Sequence, residues 1–221
     1  MRTIDKNHTK GFTLVEMAVV LIILGFLLGG LLIPLTAQID QKNYNTTQKE
    51  LSDIKETLIG YALSHAALDG KPYFPCPDSV GNDGVEDRTG TSCSSAEGNL
   101  PWVDLGLPVT DSWGNHYRYR VANIAFADNS LGFTLSSNGN ITIKDAAAGN
   151  NIATSIPAVI FSRGKNGSAA GVDEAENSDT SNATIISHAP TSVAGNEFDD
   201  LVVWIPTGLL FNRLVAAAKL P

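Results

Sequence analysis

The sequence predicts an α+β fold in which one long N-terminal helix is packed on an antiparallel β-sheet, and three observations carry that expectation. An uncharged apolar run from Met17 to Ile39 continues into helically spaced Tyr44, Leu51, Ile54, Leu58 and Tyr61. Alternating or continuously apolar segments of strand length follow in the second half of the chain. Between them Cys76 and Cys93 sit in a stretch rich in Gly, Pro, Asp and Ser, where a long loop needs pinning. The chain has 221 residues, 43% hydrophobic and 17% charged, a balance that suits a packed core. Its formal net charge is −8; Arg2, Lys6 and Lys10 against Asp5 make residues 1–11 +2, so residues 12–221 carry −10. That balance excludes a basic footprint for nucleic acid.

The apolar run is long enough to span a bilayer as a helix, which takes roughly 20 residues. A cleavable secretory signal has a shorter apolar core and a small-residue cleavage site, and "LLIPLTAQIDQKNYNTTQ" offers no such site. The segment is therefore expected to stay in the mature protein, with a cytoplasmic N-terminus and an exported C-terminal domain. Gly25, Gly29, Gly30 and Pro34 predict local melting or a kink, since glycine and proline cost about 1 and 3 kcal/mol in an ordinary helix interior. Simple tolerance of both residues in a transmembrane helix is the alternative. Beyond Pro34, Lys49, Asp53, Lys55 and Glu56 separate the apolar positions, and the helix ends before Gly70 and Pro72. From Phe12 to Ala67 it would be roughly 80 Å long.

Residues 70–115 read as a loop region with a short helix. A Cys76–Cys93 disulfide closing it is expected to contribute about 3 kcal/mol; metal ligation lacks a second cysteine pair or a histidine at ligand spacing. In "HYRYRV", Tyr117, Tyr119 and Val121 alternate with Arg118 and Arg120, as in a half-buried antiparallel strand. "LGFTLSS" and "NITIK" flank Asn138-Gly139, a hairpin dipeptide. "IPAVIFS" and "DLVVWIP" read as central strands, with a long polar loop over 165–199 between them. A terminal helix follows, with Thr207 as its N-cap and Leu210, Leu214 and Ala218 on its apolar face.

"KGFTLVE" places Gly11 after a basic leader, then Phe12, then Glu16 as the fifth residue counted from Phe12. This resembles the class III signal of type IV pilins and of the pseudopilins of type II secretion systems. The resemblance implies that prepilin peptidase cuts between Gly11 and Phe12 and that Phe12 is then N-methylated. A charge within an apolar span costs several kcal/mol unless it is paired or interfacial. Cleavage creates an ammonium at Phe12 that a carboxylate four positions along the same helix or on an adjacent subunit can neutralise, and the resemblance implies that Glu16 pairs with the Phe12 amine of a neighbouring subunit. A snorkelling or protonated Glu16 is the alternative. The division implied is a leader over 1–11, a transmembrane and filament-core helix over 12–36, its amphipathic continuation over 37–69 and an exported pilin-like domain over 70–221. Processing would leave 210 of the 221 residues, more than expected of a main repeating subunit, which points to a minor pilin or pseudopilin. The partners implied are prepilin peptidase, other pilin or pseudopilin subunits, an inner-membrane assembly platform and lipid. The location implied is the bacterial inner membrane, single-pass with a periplasmic C-terminal domain, and then the filament.

"DSWGNHYRY", "FSRGKNG" and "FDDLVVW" resemble in order the D-x-W-G-x-x-Y-x-Y, S-x-G-x-x-G and acidic-x-x-x-W elements of major pseudopilin domains. In those domains the loop after the second element binds calcium. Here Lys165 and Asn166 replace the usual acidic stretch, and an insertion carries Asp173, Glu174 and Glu176 ahead of Asp199 and Asp200. Asp173, Asp199 and Asp200 are the candidate calcium ligands, with a merely solvated acidic loop as the alternative. Asp199 and Asp200, read as the start of a strand, would point apart. "PDSVGNDGVED" fails as an EF-hand, because Ser79, Gly81 and Gly90 fall where ligands are required, and its Asn82-Asp83-Gly84 reads as a turn. His8, His65, His116 and His188 are scattered, and no catalytic motif is present. The chain thus reads as a non-enzymatic structural subunit. A single-pass membrane protein with a ligand-binding or enzymatic periplasmic domain is the alternative.

Overall fold

The structure, a computed structural model, describes residues 11–122 and 126–221, with the backbone alone over 28–35. The leader as far as Lys10 lies outside the described residues. Two compact units are present, Met1–Lys42 and Asn43–Pro221. Helix α1 (Leu14–Ser64) contributes to both, and it is continuous across Gly25 and Pro34, so the expected local melting is absent. A single missing N–H removes one bond from a helix of 51 residues, and the flanking turns carry it through.

In the first unit every residue from Gly11 to Leu27 is exposed, the large apolar side chains Phe12, Leu14, Leu21, Ile22 and Phe26 among them. Among the described residues no helix is long and apolar enough to cross a membrane. The span expected over 12–36 includes residues 28–35, whose side chains are outside the description.

In the second unit α1 turns Leu51, Ile54, Leu58 and Ala62 into the core, the positions its helical spacing selects. Its floor is a four-stranded antiparallel sheet built from β3 (Glu97–Asn99), β4 (Arg118–Val121), β7 (Ala158–Ser162) and β9 (Leu201–Ile205), in the order β3-β4-β7-β9. Tyr117, Tyr119, Val159 and Phe161 join the helix residues in one apolar cluster. Two tyrosine hydroxyls tie the layers: Tyr117 donates to Glu50 Oε2 of α1 at 2.6 Å, and Tyr119 to the Pro75 carbonyl at 3.1 Å. A two-stranded ribbon, β1 (Arg88–Thr89) and β2 (Ser92–Cys93), precedes β3, and the short α2 (Trp102–Leu105) follows it. A disulfide joins Cys76, fully buried, to Cys93 in β2.

Several expectations are corrected here. The arginine face of β4 is not solvated: Arg120 is buried, and Arg118 and Arg120 hold the buried Glu97 of β3 at 3.0 and 2.7 Å. "IPAVIFS" does give a central strand, β7, buried at all five positions, but β9 lies at the sheet edge. "LGFTLSS" forms no strand. Instead β5 (Ile141–Lys144) pairs with β6 (Asn151–Ile156), and with β8 (Thr184–Ile186) in parallel, giving a second sheet that is mixed. Gly139 serves close approach rather than a hairpin turn, since a Cβ there would lie 2.2 Å from the Ile156 carbonyl oxygen.

The 165–199 region also carries more order than its polarity suggests: it holds α3 (Val172–Ser178) as well as β8. Pro206, not Thr207, holds the N-cap position of the terminal helix α4 (Thr207–Ala216) and makes no side-chain cap bond, while the Thr207 hydroxyl donates to the Ser155 carbonyl at 2.7 Å. Ala218 leaves the helix with a positive φ and is exposed, and Leu220 is buried in its place.

Removing one partner of a buried ion group strands the others, at a cost of about 3–5 kcal/mol. Glu97→Ala is therefore expected to lower unfolding free energy by about that amount in denaturant titrations of the full chain. Lys71→Ala, which breaks the exposed Lys71–Asp69 pair, should cost under about 1 kcal/mol. Equal effects of the two substitutions would contradict the burial argument.

Candidate functional site

Two places gather the residues singled out by the sequence. The first is the start of α1. Thr13 is the residue before the helix, and its side chain and that of Glu16 satisfy each other's backbone: Glu16 Oε2 accepts from Thr13 N–H and from the Thr13 hydroxyl, both at 2.8 Å, while Glu16 N–H donates to Thr13 Oγ1 at 3.3 Å. This is a capping box, T-x-x-E, which offsets the unsatisfied N–H groups of a helix start. Sequence reasoning missed the role of Thr13, although the spacing that signals it is present in "FTLVE". Both Thr13 bonds fall on Oε2, and among the described residues no donor meets Oε1. Gly11 and Phe12 lie in exposed, non-helical chain immediately before the cap.

The second place is built by the "DSWGN" and "FSRGKNG" segments. Asp111 Oδ1 accepts from the backbone N–H groups of Trp113 and Asn115, both at 2.9 Å, which closes the first segment into a turn. Asp111 Oδ2 accepts from the buried Ser162 hydroxyl at the end of β7, and Ser162 Oγ in turn accepts from Gly164 N–H at 3.0 Å. Asn115 Nδ2 then donates to the Gly164 carbonyl at 2.7 Å. Gly164 has φ +59°, and a Cβ on it would lie 2.3 Å from Asp199 Oδ1, so glycine is required by both conformation and space. These contacts set the turn against Asp199.

There Glu174, Asp199 and Asp200 each offer a carboxylate oxygen, all within 4.8 Å of one another. The aspartates do not point apart, because β9 starts only at Leu201 and strand alternation does not apply to them. Asp173 is not in the group: its carboxylate accepts from Ala147 N–H at 2.6 Å and faces His188 Nε2 at 3.2 Å. Glu174 takes its place, and nothing in the sequence distinguishes the two until α3 forms and buries both. Glu174 is held by Asn166 Nδ2, Ala170 N–H and Asp199 N–H. Asp200 accepts from Asn177 Nδ2 at 2.8 Å.

Burial, with the charges of Glu174 and Asp199 adding to it, pushes the Asp200 carboxyl up to about 7. Burial likewise raises Asp199. One oxygen of each aspartate, Oδ1, is buried with no hydrogen-bond partner. Three converging carboxylates, two of them with an orphaned oxygen, fit a hard cation, which takes oxygen ligands and offsets the burial and repulsion that raise the two aspartates. Among the residues present, Glu174, Asp199 and Asp200 would hold it.

No curated protein and no solved structure matches the chain. A family model described as the prokaryotic N-terminal methylation motif matches residues 6–32, covering Gly11, Phe12, Thr13 and Glu16. The N-terminus of this chain is thus a class III prepilin signal, consistent with a type IV pilin or pseudopilin.

Proposed function

We propose that the chain is a non-enzymatic structural subunit, a minor pilin or pseudopilin of a type IV pilus or type II secretion pseudopilus. Prepilin peptidase cuts it after Gly11, Phe12 is N-methylated, and the apolar start of α1 holds it first in the inner membrane and then in the filament, with the unit from Asn43 onward exported. The single observation that carries this reading is the methylation motif over 6–32 at the head of an apolar helix. Exposure of every large apolar side chain from Phe12 to Leu27 supports it, because such a surface needs lipid or other subunits to cover it. Glu16 has two successive tasks: Oε2 caps its own helix and Oε1 meets the ammonium at a neighbouring subunit's Phe12. The assembly platform and the other subunits are the partners this requires.

Glu16→Val should leave cleavage after Gly11 intact while blocking entry into filaments, read by immunoblotting of sheared filament fractions. Normal incorporation of the variant would sink the charge pairing.

We further infer that calcium occupies the Glu174–Asp199–Asp200 group. Without cation, the folded state keeps the Asp200 proton up to about pH 7, whereas the unfolded chain releases it near 3.8. The folded state then binds more protons in that window, so this group's contribution to stability falls as pH rises from about 4 to about 7. In chelator, Asp200→Asn should therefore gain on the parent across that interval. At pH 8 calcium should raise the thermal midpoint of the parent and leave Asp200→Asn unmoved. A parent midpoint indifferent to calcium would remove the ion from the account.

A further inference from the structure

The sequence holds two Asn-Gly pairs, Asn138-Gly139 and Asn166-Gly167. In such a pair the glycine carries no Cβ to shield its backbone nitrogen, so that nitrogen can approach the side-chain carbonyl carbon of the asparagine before it. Attack of Gly139 N on Asn138 Cγ forms a C–N bond, breaks the bond from Cγ to Nδ2 and releases ammonia, leaving a five-membered succinimide. Water then opens this ring at either carbonyl, giving aspartate or isoaspartate. An amide and a water become a carboxylate and an ammonium ion, with no change of oxidation state.

The fold treats the two pairs differently. Asn166 is locked: its Nδ2 donates to both Glu174 oxygens at 3.1 Å, its Oδ1 accepts from Ser168 N–H at 2.9 Å, and its own N–H donates to Asp199 Oδ2 at 3.0 Å. The nitrogen that would attack, Gly167 N, already donates to the Arg163 carbonyl at 3.1 Å. Attack has to break such bonds first, and loss of a hydrogen bond to a charged group alone slows a step about tenfold or more. Asn138, by contrast, is exposed, and among the described residues its side chain is held only by a bond from Nδ2 to the Ser136 carbonyl at 3.5 Å, the outer limit of a hydrogen bond. Among the described residues no acceptor takes the Gly139 N–H.

We propose that Asn138 is a site of spontaneous deamidation in the folded protein, and that the bonds on Asn166 protect it from the same reaction. Conversion of Asn138 adds one negative charge to the segment leading into β5. The isoaspartate product also adds a methylene to the main chain beside Gly139, where the Ile156 carbonyl leaves no room for a Cβ. Conversion of Asn166 would instead place a fourth carboxylate against Glu174, Asp199 and Asp200, so its lock preserves the charge of that group. The inference rests on neither the processing of the α1 head nor a bound cation, and it would survive the failure of both readings.

The test keeps the full chain in phosphocholine micelles with chelator at mildly alkaline pH, below its unfolding temperature, and samples it over days by peptide mass spectrometry. Each conversion replaces an amide by a carboxyl group, which the peptide mass reports, and isoaspartate separates from aspartate by chromatographic retention. The Asn138 peptide should convert about tenfold or more faster than the Asn166 peptide, the factor set by the bonds that Asn166 must break. The same chain unfolded in urea should convert both at comparable rates, because the fold and not the neighbouring residues makes the difference. Comparable rates in the folded chain, faster conversion of Asn166, or the same excess persisting in urea would overturn the proposal. So would an Asn138 that stays intact when folded over the interval in which it converts when unfolded.

Discussion

Arg118 and Arg120 leave β4 on the side away from α1 and close on Glu97, and this buried group fixes how the second unit is assembled. Its geometry requires Glu97 to lie opposite Arg120 in the β3–β4 register, which carries Asn99 opposite Arg118. The other face of the same strand places Tyr119 and Val121 in the core with α1. A strand buried on both faces tolerates no slip, because a one-residue shift would put arginines in the apolar layer and tyrosines among ions. Each oxygen of the Glu97 carboxylate takes one guanidinium, so the buried anion is fully paired while the group as a whole keeps one positive charge in excess.

The acidic group depends on that sheet less directly. Asp111, Ser162 and Asn115 make a relay of hydrogen bonds from the loop before β4 to the turn after β7, and the turn abuts Asp199 at a glycine. Three carboxylates gathered there repel one another, and burial adds to the cost. The fold tolerates them by giving most of their oxygens amide donors from Asn166, Asn177 and backbone N–H groups. What remains unpaired, one oxygen on each aspartate, is the feature that sets this group apart from an ordinary acidic surface.

Much of this was legible in the residues, and the failures have physical causes. The amphipathic face of α1, β7 and the terminal helix follow from periodicity, because each buries a single face or the whole element. Arg118 and Arg120 misled because alternation reports polarity, while a polar residue can be buried when Glu97 is brought across from a strand 21 positions away for Arg118 and 23 for Arg120. Gly139 misled because a turn and a close backbone approach select the same residue. Glu174 and Asp173 are adjacent and chemically alike, so only the rotation of α3 decides which one joins Asp199 and Asp200. The Thr13–Glu16 cap, by contrast, is written in four consecutive residues; the charge of Glu16 drew attention away from its local partner.

A carboxylate at the head of an apolar helix answers a local need, the unpaired N–H groups of the first turn, before any subunit arrives. Cleavage after Gly11 would add a second need, an ammonium one residue upstream of Thr13, and the same side chain can serve both. Intact-mass spectrometry of the chain recovered from cells expressing a prepilin peptidase tests this most directly. The account predicts a mass for residues 12–221 increased by one methyl group. A chain still beginning at Met1, or cut away from Gly11, would contradict it.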